Sequence, residues 1–162
     1  MKDIRILHID DNASIRVMVK EYFQNNKQIK INYSVNDGLE GLKILKDNYE
    51  NIDLIILDLI MPNKDGISFL DEIKQLNMSK NVIVITSYNQ ASMIKKIAVH
   101  DVDYYMLKPF EFTDLEKRIY ECANKNEASY KSIDLKQNNL QVTITKVLHD
   151  LGIPSHIKGY QY

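Results

Sequence analysis

The 162-residue chain has a single cysteine, three prolines and five glycines, and its 21 basic side chains nearly cancel 22 acidic ones. Each scarcity excludes something. Cys122 can form no intrachain disulfide and has no partner cysteine for a structural zinc site, which favours a reduced, intracellular protein with the cytoplasm as its expected location. So little Gly and Pro, beside 44% hydrophobic and 27% charged residues, argues against collagen-like, low-complexity or disordered chains and leaves a globular core. A net charge of -1 lacks the basic excess that marks most nucleic-acid binders. Long hydrophobic runs are also missing. Ile4 to Ile9 is interrupted by Arg5 and His8 and stops at Asp10-Asp11, too short and too polar for a signal peptide or a membrane span, so no membrane association is expected.

What is present is an alternation of short β-branched runs with longer amphipathic segments, the pattern of a parallel sheet wrapped by crossover helices. Strands are predicted at Ile4–Ile9, Ile29–Val35, Ile52–Leu57, Val82–Ile85 and Tyr104–Leu107. The third and fourth are almost continuously apolar, as strands buried on both faces must be, while the second alternates and reads as an edge. Ile15, Val17, Met18, Val19, Tyr22 and Phe23 recur at helical spacing after an N-cap at Asn12 or Ser14, and Leu39, Leu42, Ile44 and Leu45 follow Asp37 likewise. Ile67 to Leu76, Ile94 to Ala98, and Phe112 to Cys122 supply three more helices, the last opening just after Pro109. The expected fold is a (βα)5, doubly wound, flavodoxin-like sheet over residues 1–125. A polar stretch extends the last helix and becomes a linker at 126–139, and helical periodicity resumes from Leu140, with Gly152 and Pro154 as stop signals.

Polar groups that end otherwise apolar strands are the candidate site, because ligands bind at the carboxyl edge of an open α/β sheet. Asp10 and Asp11 end the first strand, Asp58 the third, Thr86 the fourth and Lys108-Pro109 the fifth. If the first and third strands are neighbours, three carboxylates converge, and they cannot all ionise cheaply without a cation. A hard divalent ion such as magnesium, with manganese as its substitute, answers that need, because it takes oxygen ligands and keeps several waters. A nucleotide-binding Rossmann turn is excluded by Asp10-Asp11-Asn12, which lacks the glycines that admit a pyrophosphate. A haloacid-dehalogenase-type phosphatase is disfavoured too. It needs an acid two residues after the nucleophile, where this chain has Ile60.

Through Asp10-Asp11-Asn12, the run Asp58-Leu59-Ile60-Met61-Pro62-Asn63-Lys64-Asp65-Gly66, the pair Thr86-Ser87 and Lys108-Pro109-Phe110, residues 1–125 resemble the receiver domain of bacterial response regulators. The resemblance implies a phosphoacceptor signalling protein rather than an enzyme, which assists only its own phosphoryl transfer and dephosphorylation. Asp58 would take the phosphoryl group from a histidine kinase or histidine phosphotransferase. Asp11, Asp58 and the backbone carbonyl of Ile60 would ligate the metal, Asp10 would act largely through water, and Lys108 and Thr86 would stabilise the phosphoryl oxygens. Tyr105 would be the switch aromatic, turning inward as Thr86 moves toward a phosphorylated Asp58, and Pro109 is the candidate cis-loop residue. Homodimerisation on phosphorylation is a further expectation. Two departures from the family pattern stand out: Asp101-Val102 replaces a frequent Gly-Ala, so the loop before the fifth strand is expected to differ, and Ser87 replaces a frequent Ala. His8 is read as a packed core histidine, not a ligand.

The tail from Ile144 to Tyr162, above all Gly152-Ile153-Pro154-Ser155-His156-Ile157-Lys158-Gly159-Tyr160, is similar to the opening of the DNA-binding effector domain of the stage-zero sporulation transcription factors. The match ends before a recognition helix, so residues 140–162 are expected to be the incomplete start of a helical effector, with no base-reading residue in this chain. Two expectations stay open: a fragment of a transcription regulator that meets DNA through its missing part, or a short receiver that acts as a phosphoryl sink or sequesters partners.

Overall fold

The computed structural model of the chain describes residues 2–61, 63–78, 80–87 and 91–127. Strands β1 (Ile4–Ile9), β2 (Ile29–Val35), β3 (Leu54–Leu57), β4 (Asn81–Thr86) and β5 (Tyr104–Leu107) alternate with helices α1 (Ala13–Phe23), α2 (Gly38–Asp47), α3 (Gly66–Gln75), α4 (Ala91–Ala98) and α5 (Phe112–Glu127). The strands form one parallel sheet in the order β2-β1-β3-β4-β5. This is the expected doubly wound, flavodoxin-like fold, with the alternating strand at the edge and the most apolar ones inside.

Side-chain alternation along each strand divides the core. Leu7, Ile9, Ile55, Leu57, Val82 and Val84 face one way and pack with Leu45 of α2, Phe69 of α3 and Ile97 of α4. Ile4, Ile6, Leu54, Ile56, Ile83 and Ile85 face the other way, against Val19 of α1 and Leu115 and Ile119 of α5. His8 shares that second parity and is 1% exposed, in keeping with its reading as a core residue.

Helix starts follow their caps. Asn12, not Ser14, caps α1 by accepting from Ile15 N; Asp37 caps α2 through Glu40 N, and Asp65 caps α3 through Ser68 N. The fifth helix opens at Phe112, as expected, and it includes residues 126 and 127 of the expected linker. The rest of that linker and the whole of 140–162 lie outside the described residues.

Three expectations need correction. The third strand begins at Leu54, not Ile52, because a 3-10 turn at Tyr49–Asn51 precedes it and Asp53 closes the ladder itself: its N–H donates to Arg5 O, and its carboxylate accepts from Arg5 N and Nε, each at 2.9 Å. The fourth strand is a residue longer at each end than the Val82–Ile85 run, since Asn81 pairs with Leu54 and Thr86 with Leu107. On α1, Val17, Met18 and Tyr22 are 53%, 45% and 39% exposed. The inner stripe is Ile15, Val19 and Phe23 at four-residue spacing, and Met18 and Tyr22 form a second, outward stripe. The turn before β5, where Asp101-Val102 stands, uses no left-handed residue at Asp101, since among the described non-glycine residues only Asn63 and Asn77 have positive φ. Backbone bonds from His100 N to Ile97 O and from Val102 N to His100 O close that turn instead.

Candidate functional site

β1 and β3 are neighbours, so their carboxyl ends bring the acidic residues together. Asp10 N donates to Val35 O and Asp58 N to Ile9 O, which carries the ladder one residue past each strand and fixes where both side chains leave the sheet. Asp10, Asp11 and Asp58 each present a carboxylate oxygen, all within 4.8 Å of one another. Asp10 and Asp58 are buried, at 1% and 5% exposure, whereas Asp11 faces solvent.

Lys108 reaches in from the end of β5. Its N–H donates to Thr86 O at 3.0 Å, and its ammonium bridges Asp10 at 2.9 Å and Asp58 at 3.2 Å. Burial pushes the Asp58 carboxyl above its ordinary value and Asp10 adds to the push, against the opposing pull of Lys108 and the Ile60 N–H. Burial alone would lower the Lys108 ammonium, but hydrogen bonding and attraction from Asp10, then Asp58, hold it above its ordinary value. A cluster of hard oxygen donors in which one ammonium serves two buried carboxylates, with a third at the solvent edge, fits a small divalent cation such as magnesium.

The other expected residues fall around this cluster. Thr86 ends β4, opposite Leu107 of β5, and is fully buried. Tyr105, on the sheet face shared with α3 and α4, is 9% exposed, and burial raises its phenol to about 12. The Lys108-Pro109 peptide is cis. Ile60 N donates to Asp58 Oδ1 at 3.3 Å, while the Ile60 side chain is 47% exposed. An open groove leads from Asp58 between Ile15 and Met18 of α1 and Phe110 and Phe112, with Ser87 also on its wall.

Sequence reasoning missed three contributors. Arg16 donates from Nη1 to Asp10 O at 2.7 Å, which pins the turn that carries the acidic pair. Asp10 Oδ1 accepts from Asn12 N at 2.8 Å. Asn63 donates from Nδ2 to Asp37 Oδ2 at 2.9 Å, tying the loop after Asp58 to the start of α2. Helical spacing could have placed Arg16 on the turn side of α1; nothing in the sequence signals a bond between positions 37 and 63.

A family model described as "Response regulator receiver domain" matches residues 6–120. Among solved structures, the receiver domain of Francisella response regulator 1452 is 28% identical with a TM-score of 0.67, covering 76% of this chain and 99% of its own. A response regulator receiver domain protein from Clostridium thermocellum is 27% identical with a TM-score of 0.69, covering 76% and 97%. A CheX-CheY-BeF3-Mg+2 complex from Borrelia burgdorferi contains a chain of the same fold, 24% identical with a TM-score of 0.68, covering 74% and 89%.

Proposed function

The chain belongs to the response regulator receiver domain family, and from that premise we propose that it is the phosphoacceptor of a two-component system or phosphorelay, phosphorylated on Asp58. Members of this family are signalling proteins rather than classical enzymes, and they bind magnesium at an acidic pocket. In the proposed reaction an Asp58 carboxylate oxygen attacks the phosphorus of a partner's phosphohistidine in line. The O–P bond forms as the N–P bond breaks, and the leaving imidazole nitrogen keeps the bonding pair and takes a proton. Little covalent work falls to the protein, so its contribution is position and charge.

Lys108, anchored on Asp10, stands beside the Asp58 oxygen and can follow the incoming phosphoryl oxygens as a compact charge. Asp11, Asp58 and the Ile60 carbonyl would hold magnesium or manganese, with Asp10 reaching it through water; bound there, the ion neutralises carboxylate and phosphoryl charge. Thr86 donates its hydroxyl to the phosphoryl group, and Tyr105 shifts its population as Thr86 moves. The groove beside Met18 and Phe110 receives the phosphohistidine-bearing helix of a kinase or phosphotransferase. The observation that carries this reading is the Lys108 bridge across two buried carboxylates.

Incubation with a small acyl-phosphate donor and magnesium, followed by intact mass, is expected to show one added phosphoryl group that Asp58→Asn abolishes. An unmodified wild-type chain, beside a receiver that is modified in parallel, would defeat the assignment. The output proposed is sporulation-type transcription control, with 128–139 a linker and 140–162 the start of an effector, supported by the Gly152 to Tyr160 run. An open reading frame that continues past Tyr162 into a helix-turn-helix supports it; an immediate stop codon favours the sink or sequestering role.

A further inference from the structure

The loop that leaves Asp58 carries the Ile60 carbonyl, and its far side is tied down away from the carboxylates. Asp37 Oδ1 accepts from Glu40 N at 2.8 Å, which is an ordinary helix cap, but its second oxygen, Oδ2, accepts from Asn63 Nδ2 at 2.9 Å. Those two bonds hold the Asp37 carboxyl below its ordinary value, the Glu40 N–H first and Asn63 second, so it is an acceptor-only carboxylate at neutral pH. Beside it Gly38 N donates to Lys64 O at 3.1 Å, and a Cβ at Gly38 would lie 2.4 Å from that same oxygen, so the two backbones meet too closely for any side chain. Asn63 itself sits at φ 66, a left-handed conformation that Asn tolerates. At its other end the loop closes through Gly66 N to Leu59 O at 2.9 Å.

We propose that the Asp37–Asn63 bond is a positioning clamp that sets the metal affinity of the site by holding the loop that presents the Ile60 carbonyl. The proposal rests on the reading of Asp58, Asp11 and Ile60 as the metal-binding set. It makes Asp37 and Asn63 positioning residues, since neither touches the reacting atoms. The capping role of Asp37 and the clamping role use different oxygens, so they can be separated. Asp37→Ser retains a good N-cap but is too short to reach Asn63. Asn63→Gly removes the bond from the other side and relaxes the left-handed backbone, at an exposed position.

The measurement is Mg2+ binding by calorimetry on the full chain, together with the acyl-phosphate reaction rate at limiting and saturating Mg2+. Each single variant is expected to weaken Mg2+ binding about three- to tenfold, the equivalent of one net hydrogen bond, and the double variant no more than either alone. Reaction rates should fall at limiting Mg2+ and recover at saturation. Unchanged Mg2+ affinity in Asn63→Gly, additive losses in the double variant, or a rate defect that saturation does not repair would each overturn the clamp. Circular dichroism on the same samples identifies a variant that has lost its fold; Asn63→Gly then decides alone. If wild type binds Mg2+ but gains no phosphoryl mass, the phosphoacceptor reading fails while the calorimetry still judges the clamp.

Discussion

Acidification from pH 6.5 to pH 4 should cost this protein about 3 kcal/mol through one side chain, His8. His8 pairs in the sheet with Ile56 of β3 and Ser34 of β2, is 1% exposed, and has no hydrogen-bond partner for Nδ1 among the described residues. Burial lowers it from 6.5 to about 4; Asp10 opposes the shift, and Arg16 and Lys108 reinforce it. A lowered folded-state value means that the neutral ring supports folding fully above 6.5, and that this support is lost as pH falls toward about 4. At roughly 1.4 kcal/mol per pH unit over that window the loss is about 3 kcal/mol, a large share of the 5 to 15 kcal/mol, roughly, that holds a domain together. His8→Leu keeps the volume and removes the titration. Urea unfolding of both proteins by circular dichroism between pH 7 and pH 4 cancels the carboxylates they share, so the difference isolates the ring. His8→Leu should gain about 3 kcal/mol on wild type across the window; a difference that stays constant from pH 7 to pH 4 would refute the argument.

The remaining predictions concern the site and its frame. Mg2+ at about 100 times its dissociation constant should stabilise the chain by about 2.7 kcal/mol, read as a rise in Tm that a chelator reverses. Asp58→Asn should lose most of that gain, and it should also raise the metal-free Tm at neutral pH, because a carboxyl held above its ordinary value destabilises the fold once ionised. Gly66→Ala should destabilise by about 2 kcal/mol, since its Cβ would meet backbone, Asp58 O at 2.6 Å and Leu59 Cα at 2.7 Å. Gly41→Ala should destabilise by about 1 to 3 kcal/mol, because its Cβ would meet Ile9 Cδ1 at 2.4 Å and Cγ1 at 2.9 Å in a fully buried core side chain, which outweighs the gain in helix propensity. Met18→Asp should slow transfer from a phosphorylated histidine phosphotransferase at least about tenfold while small acyl phosphates react as before; equal slowing of both would remove the groove as the docking face.

The strands were legible because parallel, doubly covered strands must be runs of β-branched apolar residues, and the turns between them carry caps such as Asn12, Asp37 and Asp65. The cluster was legible for a related reason: a carboxylate or an ammonium at the end of such a run has no packing role, so Asp10, Asp58 and Lys108 announced themselves. Misreadings came where a side chain replaces a backbone partner or where two stripes share one helix. Asp53 takes the ladder's place at the start of β3. Met18 and Tyr22 mimic a core face because they too repeat every four residues; Tyr22 instead stacks on Phe112 and donates to Glu116. The Asn63–Asp37 bond was invisible because its partners are 26 positions apart and the Asp37 cap already accounted for that residue.

These two layers of structure do opposite things to the same carboxylates. The sheet buries Asp10 and Asp58 side by side, and burial is what lifts Asp58. Lys108 balances only part of the charge, because one ammonium is divided between two carboxylates at 2.9 and 3.2 Å while Asp11 stays in solvent. A folded chain with that imbalance favours whatever brings positive charge or spreads negative charge at one spot. Coulomb attraction depends on charge and distance and not on direction, so the imbalance by itself gives attraction without geometry. The geometry comes from groups around the three carboxylates: Arg16, whose Nη1 donates to the Asp10 carbonyl, the Asn12 N–H on the Asp10 carboxylate, and the loop held by Asp37 and Asn63. The strand ends therefore supply the charge that draws a cation in, and the groups around them, on α1 and in the loops, set how well its ligands are aimed and so how tightly it is held.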